Sequence, residues 1–555
     1  MKIIIVGGVA GGMTAAARLR RLSETAEIVV FEKGGHVSYA NCGLPYYIGG
    51  TIEDKAALTL QTPESFKRRF NVDVRVNNEV LSIDRANKKV RVKELPVGRE
   101  YEESYDKLIL SPGAEPIKPA LPGIEQENIF TLRTLADTFA IKEFMAEKAP
   151  QTALVVGGGY VGLEMAENLV AAGIQTTLAE ALPQVMNIMD GDMAALIHKE
   201  LLARQVELIL ADGVQSFAEA GGKIKTTLQS GREVVADMVI FAVGVRPDTK
   251  LAVQTGLAVG RGISVDDYLR TSDPDIYALG DAIEVINPLT GKHVLIALAG
   301  PANKQGRIVA DNIVLGNKKK YPGTFGTAVL KIFSLTAAMT GLSAKALEAE
   351  GIPHESVIVH PASHAGYYPG ASAVALKLFF APADGKILGA QAIGAEGADK
   401  RIDVISAYLS KQGTIYDLTA FEHCYAPPYS TAKDAVNMAG FVAENILAGQ
   451  MKTISWEKVA SLGSEVLIID ARSPAEHRQG TIPGAVNIPI DELRARIGEV
   501  PRGKKIVVYC GVGIRSYIAG RILLQAGYRE VFNLAGGYTT YLCYGDLCAG
   551  RGKNA

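Results

Sequence analysis

Residues 152–180 read TALVVGGGYVGLEMAENLVAAGIQTTLAE, and this stretch decides the fold. The apolar run before the glycines predicts a buried parallel strand, and the segment after them a helix. Gly157, Gly159 and Gly162 fall on the spacing GxGxxG. Glycines there let the backbone approach a pyrophosphate at a helix N-terminus. The next strand closes on Glu180. A carboxylate at that place suits the ribose hydroxyls of NADH and repels the 2′-phosphate of NADPH. NADPH stays open as a second donor.

Working outward, the same device stands near the start. The strand KIIIV leads into Gly7-Gly8-Val9-Ala10-Gly11-Gly12, a helix follows, and the strand EIVVFE ends on Glu32. Gly7 and Gly12 take the outer positions and Val9 the middle one. Taken alone, this match also fits a glycine-rich turn in another α/β protein. A third element, TSDPDIYALGDA at 271–282, ends a strand at Gly280-Asp281. That carboxylate can accept from the hydroxyls of a flavin or cap a helix. A β-rich stretch at 72–110 separates the two fingerprints.

Composition narrows the class. The 555 residues carry 58 basic and 59 acidic side chains, a net charge of −1. That gives no electrostatic case for nucleic acid or an anionic membrane. Five scattered cysteines do not form a secreted disulfide framework. The apolar run in MKIIIVGG is too short for a signal peptide, and no run approaches membrane-spanning length. A soluble, cytoplasmic protein is expected, with no metal site.

The order of these motifs resembles the flavoprotein disulfide reductases with two dinucleotide-binding domains, over residues 1–445. The resemblance implies FAD on the first fingerprint, NAD(P)H on the second, and a C-terminal interface domain that makes a homodimer. It assigns Gly7, Val9, Ala10, Gly11, Gly12, Glu32, Lys33, Asn41, Val80, Ser111, Pro112, Gly113, Arg133, Gly280, Asp281, Ala299 and Ala302 to FAD. To NAD it assigns Gly157, Gly159, Tyr160, Val161, Gly162, Glu180 and Gly244.

Most such reductases bring a Cys-x-x-x-x-Cys pair to the flavin. Here SYANCGLPY (38–46) holds Cys42 alone, with Val37 five residues before it. The motif resembles the single-cysteine branch: coenzyme A-disulfide reductases, NADH oxidases and peroxidases. There the cysteine cycles between thiolate and a mixed disulfide with coenzyme A, or a sulfenic acid. A nearby flavin and a helix terminus are expected to depress its pKa.

Thr14, Arg18 and Arg21 share one face of the first helix by spacing, and TPESFKRR adds Lys67 and Arg69. By charge alone this fits phosphate binding or a solvated basic face. The resemblance assigns Thr14, Arg18, Arg21, Ser38, Asn41, Lys67, Arg69 and Lys433 to coenzyme A, with Phe70 standing near one expected lysine. HAGYYPGA (364–371) and CYAPPYSTAKD (424–434) resemble family segments that carry active-site tyrosines across the dimer. Tyr425 is one, and Tyr367, in preference to Tyr368, the other.

The C-terminal unit, with VLIIDARSPAEHRQGTIPGAVNIP (466–489) and IVVYCGVGIRS (506–516), resembles a rhodanese. Cys510 opens a loop that closes at Arg515. Four intervening residues favour sulfur over phosphate or arsenate chemistry, and the loop's N–H groups would cradle a persulfide. Cys543 and Cys548 fit a redox pair or two incidental thiols; Cys424 fits packing.

The expected fold is therefore α/β: two Rossmann-like dinucleotide-binding domains for FAD and NAD, an α+β dimerisation domain and a C-terminal α/β rhodanese domain. The expected boundaries are 1–115 with 250–322 (FAD), 116–249 (NAD(P)H), 323–445 (dimerisation), 446–455 (linker) and 456–552 (rhodanese). The whole resembles coenzyme A-disulfide reductase–rhodanese fusions, which reduce persulfide or polysulfide with NADH. Coenzyme A is the expected bound thiol, and polysulfide, coenzyme A persulfide and coenzyme A disulfide the expected substrates, at sites shared across a homodimer. Three other readings stay open: a coenzyme A-disulfide reductase with an independent rhodanese, an NADH oxidase or peroxidase using a Cys42 sulfenate, and a redox-sensing flavoprotein.

Overall fold

The computed structural model describes residues 1–462 and 466–550, with side chains of residue 460 and of 545–550 set aside. The chain forms two compact units: Met1–Pro183 with Gln205–Gly326, and Gln184–Arg204 with the residues from Thr327 on.

The first unit holds the two fingerprints on two parallel five-stranded sheets. In the first sheet the order is Ile276–Ala278, Lys107–Leu110, Lys2–Val6, Glu27–Glu32, Asp73–Val76. The central strand is fixed in register, with Ile4 opposite Val29 on one side and Leu108 on the other. Ile3, Ile4 and Ile5 are wholly buried, as a strand covered on both faces requires. Helix α1 (Ala10–Leu22) leaves this strand at the glycine turn. Helix α2 (Leu44–Ile48) follows the Cys42 turn. The second sheet repeats the plan in the order Glu207–Leu210, Gln175–Glu180, Thr152–Val156, Met238–Phe241, Ile129–Phe130. Helix α3 (Tyr160–Ala171) leaves its central strand. Helix α4 (Ala299–Leu315) packs on α1. In both open sheets the fingerprint lies at the carboxyl end of the central strand, where such folds bind ligands.

The second unit contains an antiparallel sheet, ordered Ala328–Ile332, Leu335–Gly341, Ile387–Gly394, Val374–Phe380, Glu355–Val359. Two of its three inner strands, Ile387–Gly394 and Val374–Phe380, are buried at every residue. Beyond it stands a parallel sheet in the order Lys452–Ile454, Val531–Leu534, Lys505–Tyr509, Val466–Asp470, Val486–Asn487. Helix α5 (Ile514–Gln525) packs on this sheet.

Two boundaries differ from the sequence expectation. Segment 184–204 lies within the span 116–249 but packs with the second unit. Buried Lys377 holds Asp190 and Asp192 of this segment, each at 2.7 Å, and Met193, Ile197 and Leu201 add buried apolar side chains. The stretch 446–455 is not free chain. A helix runs to Leu447, and Lys452–Ile454 pairs in parallel with Phe532–Leu534. Met451 is buried in the core of that sheet. Residues 551–552 of the expected rhodanese span lie outside the described residues. Among the described residues no helix is long and apolar enough to cross a membrane.

Candidate active site

The two nucleotide cradles match each other bond for bond. Gly7 and Gly157 have φ of +103° and +105°, which an L side chain rarely adopts. A Cβ on Gly12 would lie 2.0 Å from the Gly7 carbonyl oxygen, and one on Gly162 would lie 1.9 Å from that of Gly157. These close approaches aim each helix N-terminus at the strand end. Glu32 accepts from the N–H groups of Gly8 and Gly34, each at 2.7 Å. Glu180 accepts from those of Gly158 at 2.6 Å and Leu182 at 2.8 Å. Both carboxylates are thereby fixed against a fingerprint turn.

The residues expected to take FAD converge. Gly7, Glu32, Lys33, Val80 and Pro112 line a cavity of about 250 Å³. A Cβ on Gly11 would lie 3.3 Å from Ser111 Oγ and 3.4 Å from the Ala302 carbonyl. Arg133 pairs with Asp281 at 2.9 Å, lies against Gly113, and exchanges hydrogen bonds with the Asn41 amide. Val9 precedes α1 without capping it by a side chain, so the N–H groups from Ala10 on remain for a phosphate. Ala299 opens α4. The cavity beside Glu32 and Lys33 and this uncapped terminus suit the ribose and pyrophosphate of a dinucleotide. At the second cradle a Cβ on Gly159 would meet nothing within 4 Å, leaving open space beside Tyr160 and Val161. Gly244 turns at φ +115° next to the strand that carries Val245.

Cys42 lies in a single turn, Asn41–Gly43, ahead of α2. Although the residue reaches solvent, partial burial of the thiol pushes its pKa up. The Glu164 charge adds to this and Arg133 opposes it. The expected depression is therefore not supplied by the protein's own groups. Glu164, on α3, is itself pushed up to about 7, by burial first and Glu167 next, while a hydrogen bond from Tyr46 pulls it back. Motif reading missed Glu164 and Tyr46. Their one signal is that Glu164 follows Tyr160 by four residues on a helix face. That α2 covers this face is a tertiary fact. Glu164→Gln is expected to lower the Cys42 pKa, because the charge that raises it is gone. Alkylation of Cys42 by iodoacetamide at mildly alkaline pH should then be faster than in the parent; superimposable pH profiles would refute the link.

Of the residues assigned to coenzyme A, Thr14, Arg18 and Arg21 lie on α1, but only Arg21 is fully exposed. Thr14 donates to Asn303 at 2.5 Å and Arg18 to Asp311 at 2.6 Å. Ser38 sits at φ +47°, a left-handed conformation that costs a serine about 1 kcal/mol. Its N–H is held by the Gly8 carbonyl at 2.8 Å. Lys67, Arg69 and Lys433 are exposed. In the second unit the hydroxyls of Tyr367 and Tyr425 stand 3.0 Å apart. Tyr368 instead sets its ring edge-on to His364.

Cys510 is buried where its strand ends. Its sulfur accepts from the Gly513 N–H at 3.1 Å and from the Ser516 hydroxyl at 3.4 Å. Gly513, at φ +112°, turns the loop into α5. Arg515 forms two bonds with Glu476, at 2.7 and 2.6 Å. The guanidinium holds Glu476 down at about 2. Beneath the loop, buried Asp470 accepts from Arg472 at 2.7 Å, Tyr509 at 2.8 Å and His477 at 2.9 Å. Cys543 is buried and Cys424 exposed; the side chain of Cys548 lies outside the described residues. Among the described residues no group of three His, Cys, Asp or Glu could hold a metal.

The family model of the pyridine nucleotide-disulphide oxidoreductases matches residues 1–306, and that of their dimerisation domain matches 327–436. The chain belongs to this family. A rhodanese-like domain model matches residues 455–542 of the oxidoreductase. The coenzyme A disulfide reductase of Staphylococcus aureus (strain JH9) is 38% identical over 445 residues, covering 80% of the oxidoreductase and 100% of that relative. Reduced Bacillus anthracis CoADR-RHD is similar over 99% of this chain and 98% of its own, with 48% identity and a TM-score of 0.95. A NAD-dependent persulfide reductase from A. fulgidus is 36% identical, covers 98% of this chain and 100% of its own, and gives 0.92. The oxidoreductase thus has the expected architecture, a pyridine nucleotide-disulphide reductase fused to a rhodanese.

Proposed function

We propose that the oxidoreductase reduces persulfides or polysulfides with NADH and releases hydrogen sulfide, with coenzyme A bound near Cys42 and sulfane sulfur delivered by Cys510. One observation carries the reading. The chain that holds a lone thiol among two nucleotide cradles also holds a second cysteine whose sulfur takes a backbone N–H and a hydroxyl donor. Donors so arranged suit an anionic sulfur chain. The similarity to CoADR-RHD and to the persulfide reductase supports it.

FAD, when bound by the first cradle with Arg133 and Asp281, would supply electron transfer from the nicotinamide to sulfur. The net reaction is CoA-SSH + NADH → CoA-SH + HS⁻ + NAD⁺. Cys42 as thiolate attacks the inner sulfur of the persulfide, forming a Cys42–CoA disulfide and expelling HS⁻. Two electrons then return the Cys42 thiolate and release the coenzyme A thiolate. In the proposed homodimer, Tyr367 and Tyr425 reach the other subunit's Cys42 and hand a proton to the leaving sulfur. Glu180 sets the donor preference, and NADH is expected to exceed NADPH in kcat/KM.

Anaerobic NADH oxidation against coenzyme A persulfide, polysulfide and coenzyme A disulfide, with sulfide followed in parallel, tests this. Faster turnover on the first two with sulfide appearing supports it. Turnover confined to coenzyme A disulfide would replace it with a thiol-maintaining reductase whose rhodanese acts alone. That second reading is favoured by the Staphylococcus aureus relative, whose whole length matches only 80% of this chain.

A further inference from the structure

Helices α1 and α4 approach unusually closely. A Cβ on Gly306 would lie 2.5 Å from the Gly11 carbonyl oxygen and 3.3 Å from Thr14 Cβ. At this distance polar side chains of the two helices meet in a ladder: Thr14 with Asn303, then, one turn along α1, Arg18 with Asp311. Asp311 is only 1% exposed. Its second oxygen takes the Lys319 ammonium. The two cations hold its carboxyl below the usual range against the pull of burial. A carboxylate so buried is costly unless it is paired.

The arrangement has two consequences. The bond from Arg18 to Asp311 uses Nε, so the guanidinium is anchored by its stem side and the terminal nitrogens keep their fork for another anion. A lone Arg–Asp pair would also be electrically neutral and attract phosphate poorly. Adding Lys319 leaves one net positive charge beside α1. We propose that Asp311 is a positioning residue, fixing Arg18 with help from Lys319 so that its fork meets a phosphate of a coenzyme A-linked substrate. This rests on the coenzyme A reading above. No motif pointed to it, since Asp311 and Lys319 lie about three hundred residues from Arg18.

The test is calorimetric binding of coenzyme A and of pantetheine, which lacks the phosphates, to the FAD-loaded protein. Asp311→Asn is expected to weaken coenzyme A about tenfold, as for a lost charge-assisted contact, and pantetheine not at all. Lys319→Met, at an exposed side chain, is expected to weaken coenzyme A about threefold. In an Arg18→Gln background Asp311→Asn should add nothing, because the two act as one unit. If Arg18→Gln weakens coenzyme A while neither Asp311→Asn nor Lys319→Met does, the positioning role is wrong and the coenzyme A site stands. If Arg18→Gln leaves the preference for coenzyme A over pantetheine unchanged, the underlying site is wrong. Equal weakening of both ligands by Asp311→Asn would mark a structural residue and overturn the proposal. Should that variant fail to fold, Asp311→Glu keeps both ion pairs, shifts the guanidinium by one methylene, and carries the same expectation.

Discussion

Cys42→Ser is expected to abolish NADH-driven reduction of every sulfur acceptor, by at least ~10³-fold in kcat/KM. A serine hydroxyl cannot form a sulfur–sulfur bond, and no described cysteine stands in for it. Cys510 and Cys543 are buried in the C-terminal unit, and Cys424 lies in a loop outside any helix or strand. The loss should fall on chemistry rather than on folding. Cys42 sits in a single turn, and its side chain contributes nothing to the buried core. The check is anaerobic NADH consumption with each acceptor, together with thermal unfolding and flavin absorbance of the variant. A variant that keeps parental turnover on polysulfide would refute the proposed chemistry.

The second large effect is at Cys510. Cys510→Ser should eliminate sulfane sulfur transfer from thiosulfate to cyanide, again by about 10³-fold, while NADH-driven reduction of coenzyme A disulfide stays near parental. The separation follows from the site. The Gly513 N–H and Ser516 hydroxyl converge on one sulfur, and Arg515 is held by Glu476 at the end of the same loop. Serine preserves the bonding pattern but removes the nucleophile. Acceptors too large for the Cys42 site should also slow. If all acceptors keep parental rates, sulfur delivery by Cys510 is not coupled to reduction.

What could be read from the chain followed local backbone rules. Gly7, Gly12, Gly157 and Gly162 announce themselves because only glycine tolerates those turns and contacts. The carboxylates Glu32 and Glu180 are spaced from them by one helix and one strand. The loop from Cys510 to Arg515 is contiguous, so its shape is written in six residues. Glu164 and Asp311 were illegible for the opposite reason. Each gains its meaning from a helix packed across it, α2 in one case and α1 in the other, and neither neighbour is near in sequence. The rise that the protein's own groups impose on the Cys42 pKa is hidden from the sequence on the same account. A helix terminus is visible in sequence; a carboxylate arriving from α3 is not. The span 446–455 read as a linker because its small and polar residues resemble one, yet Thr453 and Ile454 are β-branched and complete a sheet.

That edge strand limits how the protein can be divided. A fragment cut at Trp456, where the rhodanese pattern begins by sequence, would lose Lys452–Ile454 and the Met451 side chain that fills the space beside Gly520. It would bare the backbone of Val531–Leu534 along one side. An uncovered strand of that kind is a template for a second copy. The isolated piece should therefore self-associate unless it begins before Met451. The segment leading into the C-terminal sheet belongs structurally to that sheet, and exchange of the rhodanese-like domain has to carry it along.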